Sequence, residues 1–207
     1  MDVYIDKNNS TIQNIMQTQN GYLELILGPM FSGKTTQILQ NYTNYTYIGK
    51  NVMVINYAED KRYHDTMLST HDKKMIPCTL SMDIADMWLN ILNPDYLTIH
   101  DADVILINEG QFFPNLKDTI IDMIDNADKI VYICGLDGDF KRNRFGELLD
   151  LIPHCDKVTK LTALCSKCKN GEKGIFSCRM TRETSQVVIG VENYKPLCRK
   201  CYLQFTI

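Results

Sequence analysis

The sequence contains no long hydrophobic run. No apolar stretch among its 207 residues approaches the roughly 20 that a membrane-spanning helix needs. That argues against a membrane partner. It has no surplus of positive charge either: 22 Lys and Arg against 25 Asp and Glu give a formal charge of −3. Such a balance speaks against a body built to bind nucleic acid. The N-terminus lacks an apolar signal core. Residues 1–20 are polar and rich in Asn and Gln, and they read as a flexible leader. Without a signal the expected location is cytoplasmic. Internal repeats and low-complexity linkers are also missing. Cys201 lies six residues from the C-terminus, so no tail domain is expected. What remains is an ordinary globular composition, sized for one medium domain with at most a small appendage.

The most informative stretch is Gly28-Pro29-Met30-Phe31-Ser32-Gly33-Lys34-Thr35. It fits G-x-x-x-x-G-K-[ST] and has the right context: an apolar strand-like run, Tyr22 to Leu27, before it and a helix-compatible run, Gly33 to Tyr47, after it. Glycines let backbone N–H groups curl round phosphate oxygens, and the positive end of the helix faces the same anion. Lys34 reaches the β/γ-phosphates and the Thr35 hydroxyl serves Mg²⁺. Nucleoside-triphosphate binding is the expectation.

Eight cysteines fall into two classes. Cys165-Ser-Lys-Cys168 and Cys198-Arg-Lys-Cys201 form two C-x-x-C knuckles. Together they can place four thiolates round one structural Zn²⁺, leaving no open position for catalysis. Disulfides or free thiols are the rival reading, and a reducing compartment disfavours the disulfides. Cys78, Cys134, Cys155 and Cys178 stand alone and read as small buried hydrophobes.

Short β-branched runs at Asn51–Asn56, Val104–Asn108 and Lys129–Cys134 lack polar alternation, as expected of strands covered on both faces. Helical spacing appears at Ser81–Leu92 (Ile84, Met87, Trp88, Ile91), with Ser81 as N-cap, and again at Leu116–Ile124. Alternating strand and helix predict an α/β, P-loop NTPase-like (RecA-like), mostly parallel sheet flanked by helices over residues 21–161. Residues 162–207 read as a small zinc-stapled β-hairpin domain. Its strands are expected at Gly174–Met180 and Ser185–Val191, joined by the turn 181–184. A unit this small needs the metal to supply stability.

In an open α/β sheet, ligands gather beyond the carboxyl ends of the strands. The P-loop is there. So are Asp60 to Arg62, Asn108 to Pro114, and Gly135 to Phe140. Glu109 could take a proton from an attacking hydroxyl or orient water. Arg62 could stabilise charge on a transferring phosphoryl group. Phe112, Phe140 and Phe145 suit either stacking on a planar base or core packing, and spacing does not decide between them.

The ordered set GPMFSGKT, YAEDKRY, STHD, EGQFF, LDGDFKR, LTALCSKC and NYKPLCRKCY resembles the cellular-type (type II) thymidine kinases over Gly21 to Tyr202. The resemblance implies transfer of the γ-phosphate of ATP to the 5′-hydroxyl of thymidine, giving thymidine monophosphate in deoxynucleoside salvage for DNA synthesis. It makes Glu109 the general base. It puts the P-loop, Asp60, Arg62, Asn108 and Gln111 on the phosphate side. It places Met30, Phe112, Leu136, Phe140, Phe145, Phe176, Ser177 and Tyr194 around the nucleoside. A zinc-bound "lasso" would close over the base with backbone of Val187, Val188, Ile189 and Gly190. A homotetramer and feedback inhibition by thymidine triphosphate are further implications.

This sequence departs from the family pattern in two places. Asn108 stands where the family usually has Asp, at the strand-end position expected to serve Mg²⁺, so weaker Mg²⁺ binding is expected. The run Gly190 to Tyr194 looks one residue shorter than in many relatives. Two other readings stay open: a zinc-ribbon ATPase that binds nucleic acid, and a catalytically weak relative, the latter motivated by Asn108 alone.

Overall fold

The computed structural model describes residues 20–59, 67–70, 73–188 and 190–205. Of the residues singled out above, Asp60, Arg62, Ile189 and the leader up to residue 19 lie outside that set.

The chain opens with strand β1 (Tyr22–Leu27), passes through the P-loop and enters helix α1 (Lys34–Tyr47), then β2 (Val52–Tyr57). A two-stranded antiparallel ribbon follows, β3 (Met67–Ser69) with β4 (Met75–Pro77), and then β5 (Thr79–Ser81). Two short helices, α2 (Ile84–Leu89) and α3 (Tyr96–Asp101), lead to β6 (Val104–Ile107). A 3₁₀ turn at Gly110–Phe112, helix α4 (Leu116–Asp125) and β7 (Ile130–Gly135) come next. A second 3₁₀ segment, Leu148–His154, precedes β8 (Lys157–Lys160).

Strands β5-β2-β6-β7-β1-β8 lie side by side in that order, and every neighbouring pair is parallel. The four residues of β6 are wholly buried, which explains their unbroken Val-Ile-Leu-Ile composition. One face of the sheet packs on Ile84, Met87, Trp88, Ile120 and Met123; the other packs on Ile38 and Leu39 of α1. The parallel sheet flanked by helices matches the expected fold class. Strand β7 lies between the P-loop strand β1 and β6, whose end carries Asn108 and Glu109. Among the described residues no helix is long and apolar enough to cross a membrane.

The expected helix Ser81–Leu92 is corrected in its bounds. Ser81 ends β5, and the N-cap is Asp83, whose carboxylate accepts from Ala85 N at 2.8 Å and Asp86 N at 3.2 Å. Ser81 Oγ instead braces that turn, bonding both N and O of Asp83. The helix stops at Leu89, so Ile91 lies beyond it and is 73 % exposed.

The C-terminal part holds β9 (Ala163–Leu164) paired with β10 (Lys173–Gly174). It also holds β11 (Phe176–Arg179) paired antiparallel with β12 (Tyr194–Leu197), and helix α5 (Arg199–Phe205). The hairpin partner of the first strand is therefore Tyr194–Leu197. The described residues of the expected strand Ser185–Val191 have no strand conformation. They form part of a long connection whose backbone groups bond to side chains rather than to a ladder. A separate apolar cluster of Cys165, Cys178, Leu197, Cys198, Cys201 and Tyr202 fills this part.

One glycine ties the sheet edge together. Gly146 has φ 61°, and a Cβ on it would stand 2.1 Å from the Gln111 carbonyl oxygen. Gly146→Ala combines a left-handed alanine with a backbone clash. We expect a loss of about 2 kcal/mol or more of unfolding free energy, read as a lowered urea midpoint.

Candidate active site

Three features meet at the carboxyl edge of the sheet: the P-loop, the turn after β6, and a cleft walled by the C-terminal part. In the P-loop, Gly33 caps α1 with φ 89°, and Phe31 is also left-handed at φ 64°. A Cβ on Gly33 would meet nothing, so glycine is needed here for its backbone and not for space. Lys34 is 9 % exposed and its Nζ donates to Pro29 O at 2.9 Å, folded over its own loop. Ser32 Oγ is buried without a hydrogen-bond partner among the described residues. Buried hydroxyls are rarely left that way, and an anion held by this loop would satisfy it. Thr35, expected beside Mg²⁺, is half-buried in the first turn of α1. The loop is also tied across to β11: Met30 N donates to Ser177 Oγ at 2.9 Å.

Glu109 lies directly past the end of β6 with φ 58° and ψ 43°, a left-handed conformation that costs a glutamate roughly 1–3 kcal/mol. Its carboxylate is held by Gln111 Nε2 at 2.6 Å, and Gln111 Oε1 accepts from Leu136 N at 3.0 Å. Gln111, expected on the phosphate side, thus couples Glu109 to the loop after β7 and lines the cleft. Asn108, expected to serve Mg²⁺ directly or through water, lies at the end of β6 with its side chain turned into the sheet. It is 2 % exposed; its Nδ2 donates to Asn56 Oδ1 at 2.8 Å and its Oδ1 accepts from the Cys134 thiol at 2.9 Å. Each end of its amide makes a bond that joins β6 to a neighbouring strand, β2 on one side and β7 on the other. A neutral amide suits a site closed by neutral partners, where a lone carboxylate would be costly.

The cleft beside Glu109 is lined by Met30, Gln111, Phe112, Leu136, Phe140, Phe145, Ser177, Val187, Val188, Gly190 and Tyr194, all expected site residues. Tyr57, Asp139 and Gln186 line it too and were missed. Tyr57 stacks on Phe112 at 4.9 Å, and Phe145 meets Phe112 edge-on at 5.2 Å. Tyr57 ends β2, so the strand-end rule could have found it. Asp139 lies in the strand-end loop Gly135 to Phe140 but was not singled out; Gln186 carries no such signal and meets it only through folding, Nε2 donating to Asp139 Oδ2 at 3.0 Å.

Phe176 is the expected cleft residue that the structure places elsewhere. In β11 the side chains alternate, so Ser177 lines the cleft while Phe176 and Cys178 turn to the cysteine cluster. Phe176 packs on Tyr202 at 5.0 Å with the Arg142 and Arg199 guanidinium groups over its ring.

Cys165, Cys168, Cys198 and Cys201 converge, their sulfurs all within 4.8 Å of one another. Cys168 Sγ lies 3.2 Å from Cys201 Sγ and 3.6 Å from Cys198 Sγ. Sulfurs bound tetrahedrally at about 2.3 Å from one ion stand roughly 3.8 Å apart, so the donor set and its spacing fit a metal ion. Burial raises the Cys165 pKa, yet backbone N–H groups of Cys168, Cys198 and Lys167 outweigh it and bring the thiol down to about 6. Neighbouring thiols, Cys201 first and Cys198 next, push Cys168 up to about 12. A cation would relieve that conflict. The cluster also reaches the cleft: Tyr202, next to Cys201, donates from its hydroxyl to Phe140 O at 2.7 Å.

The thymidine kinase family model matches residues 21–202. The chain belongs to the thymidine kinase family. Among its relatives, a thymidine kinase of Oryza sativa subsp. japonica is 39 % identical over 203 residues, covering 96 % of this chain and 73 % of that protein. The variola virus thymidine kinase is 38 % identical over 184 residues, covering 88 % and 97 %. Arabidopsis thaliana thymidine kinase a is 35 % identical over 199 residues, covering 96 % and 82 %. The AMPPCP-bound DnaA from Aquifex aeolicus superposes on 77 % of the chain and 48 % of its own length at TM-score 0.45 and 10 % identity, too loosely to bear on the site.

The metal cluster of this kinase yields a direct test. Purified chain should carry one tightly held metal ion, and Cys201→Ala should release it. Because the local core is small, metal loss should lower the thermal midpoint by several degrees; elemental analysis and calorimetry on the same samples check both.

Proposed function

We propose that this chain is an ATP-dependent thymidine kinase, moving the γ-phosphoryl group of ATP to the 5′-hydroxyl of thymidine. The observation that carries the reading is the placement of Glu109 between a P-loop and an aromatic-lined cleft, held there by Gln111. A sugar in the cleft would direct its 5′-oxygen past Glu109 towards the P-loop. The new bond joins that oxygen to the γ-phosphorus as the bond to the β-bridging oxygen breaks. The 5′-hydroxyl proton goes to the Glu109 carboxylate, and ADP and thymidine monophosphate leave.

The chain's residues divide this work. The backbone from Gly28 to Gly33, the Ser32 hydroxyl and Lys34 hold the triphosphate, with Lys34 leaving Pro29 O to do so. Thr35 is the ligand for Mg²⁺, which when bound offsets phosphate charge. Asn108 assists only by fixing the strand ends. Asp60 and Arg62 are assigned to the phosphate side on the family resemblance, as is Ile189 to the lasso. Phe112 and Phe145, with Tyr57 behind Phe112, wall the base; Leu136, Phe140 and Met30 complete the apolar surround. Backbone groups of Val187, Val188 and Gly190 supply base contacts, with Tyr194 bracing Val188 and Ser177 holding the Met30 amide. Excluding water here limits loss of ATP to hydrolysis. Zinc is the ion we assign to the four cysteines, since a closed four-thiolate site is typical of it. The division into a kinase domain at 21–161 and a lasso domain at 162–207 follows the same reading. A cytoplasmic homotetramer inhibited by thymidine triphosphate rests on the family resemblance.

Two measurements test the proposal. The zinc-loaded protein should phosphorylate thymidine with ATP and leave deoxyadenosine untouched; no thymidine turnover at any Mg²⁺ concentration would sink the reading and favour a weak relative. Glu109→Gln keeps the hydrogen-bonding shape but cannot take the proton. We expect kcat to fall by about 10²–10⁴ with the thymidine KM little changed, and near-normal turnover would remove Glu109 as the base.

A further inference from the structure

Residues 181–187 are exposed throughout, so no apolar core of their own holds them. Yet the segment ends in the cleft, where Val187 and Val188 line the wall. A buried cation lies beneath it. Arg179 is 3 % exposed, and a guanidinium that deep is normally matched by a carboxylate. The Glu183 carboxylate interacts with it only through space, and each hydrogen bond of the guanidinium goes to a neutral oxygen. One terminal nitrogen donates to Glu183 O at 3.0 Å and to Ser185 O. The other donates to Gln186 O at 2.9 Å and to the Tyr194 hydroxyl at 2.6 Å, and Nε donates to that same hydroxyl at 3.2 Å. All five N–H donors of the side chain are therefore used. Tyr194 passes the constraint on, donating to Val188 O at 3.0 Å. The flat face of the guanidinium lies 3.7 Å from the centre of the Phe140 ring, another wall of the cleft.

We propose that Arg179 is a positioning residue for the nucleoside: a post around which segment 183–188 is wound, and against which Phe140 is set. The proposal rests on the reading of this cleft as the nucleoside site. Carbonyls at three of four successive positions turn inward to one charged group, which fixes the path of the backbone that follows. Gln186, whose carbonyl is on the post, also reaches across the cleft to Asp139 and to Arg144 O at 3.2 Å. Backbone recognition tolerates little displacement, because a main-chain donor has no rotamer with which to follow its acceptor. A lysine could not replace this arginine: its three donors radiate from one point and cannot span acceptors set around a planar fork.

The test uses the full-length, metal-loaded protein carrying Arg179→Gln or Arg179→Lys. Three readouts are taken: KM for thymidine and for ATP, metal content, and the rate of tryptic cleavage after the exposed Arg182 without nucleoside. We expect the thymidine KM to rise about tenfold or more in Arg179→Gln, less in Arg179→Lys. The ATP KM should stay within about twofold, metal content should be unchanged, and cleavage after Arg182 should quicken in both. If Arg179→Gln loses its metal, Arg179→Lys with metal retained decides. Unchanged thymidine KM together with unchanged cleavage would overturn the proposal. So would equal rises in both KM values, which mark a general structural role. Should the unmodified protein phosphorylate no nucleoside, the functional reading fails, and cleavage after Arg182 alone decides whether Arg179 is the post.

Discussion

Everything at this site depends on a sheet whose strands all point the same way. Parallel pairing brings the carboxyl ends of β1, β2, β6 and β7 to one edge, so four loops share one space. Because β7 separates β1 from β6, the P-loop and Glu109 arise two strand spacings apart, roughly 10 Å. That gap gives room for a phosphate chain and a hydroxyl between an anion cradle and an acid. Buried polar groups then fix the edge. Asn56, Asn108 and Cys134 tie three strand ends together, and Gln111 links Glu109 to the backbone at Leu136. The strained backbone of Glu109 persists because these contacts over-determine it.

The cysteine cluster acts on the same edge from outside. It organises a part of the chain with little apolar core, and its neighbours reach inward: Tyr202 to the Phe140 carbonyl and Ser177 to the Met30 amide. A metal ion with no free coordination position can thus bear on nucleoside binding solely by holding β11 and α5 in place. Charge inside the cleft wall is carried by Arg179, whose donors are satisfied by main-chain carbonyls and a phenol. This permits an ordered loop where side-chain packing is absent.

The sequence made much of this legible because local rules applied. The P-loop is read from glycine spacing and flanking hydrophobicity. Strands β1, β2, β6 and β7 are read from apolar runs, and the four-cysteine cluster from two C-x-x-C pairs. Errors arose where neighbours outweighed composition. Ser185 to Val188 is β-branched enough to suggest a strand, but the Arg179 side chain takes its carbonyls and no ladder forms. Ser81 is a good N-cap residue, yet Asp83 reaches the free amides with better geometry. Phe176 was paired with Ser177 in the cleft, although adjacent strand residues face opposite ways.

The chain by itself determined the chemistry on offer: a triphosphate cradle, a strand-end acid and two thiol pairs, each written as a short motif, together with aromatics scattered over several loops. Only the tertiary structure decided which of these meet. It turned Asn108 inward to neutral partners, brought Tyr57 behind Phe112, and joined Gln186 to Asp139 across 47 positions of chain. It also made Arg179 the centre of a loop. Those outcomes depend on which oxygen each buried donor finds once water is excluded. That is a property of the packed molecule, for which no run of residues carries a signature.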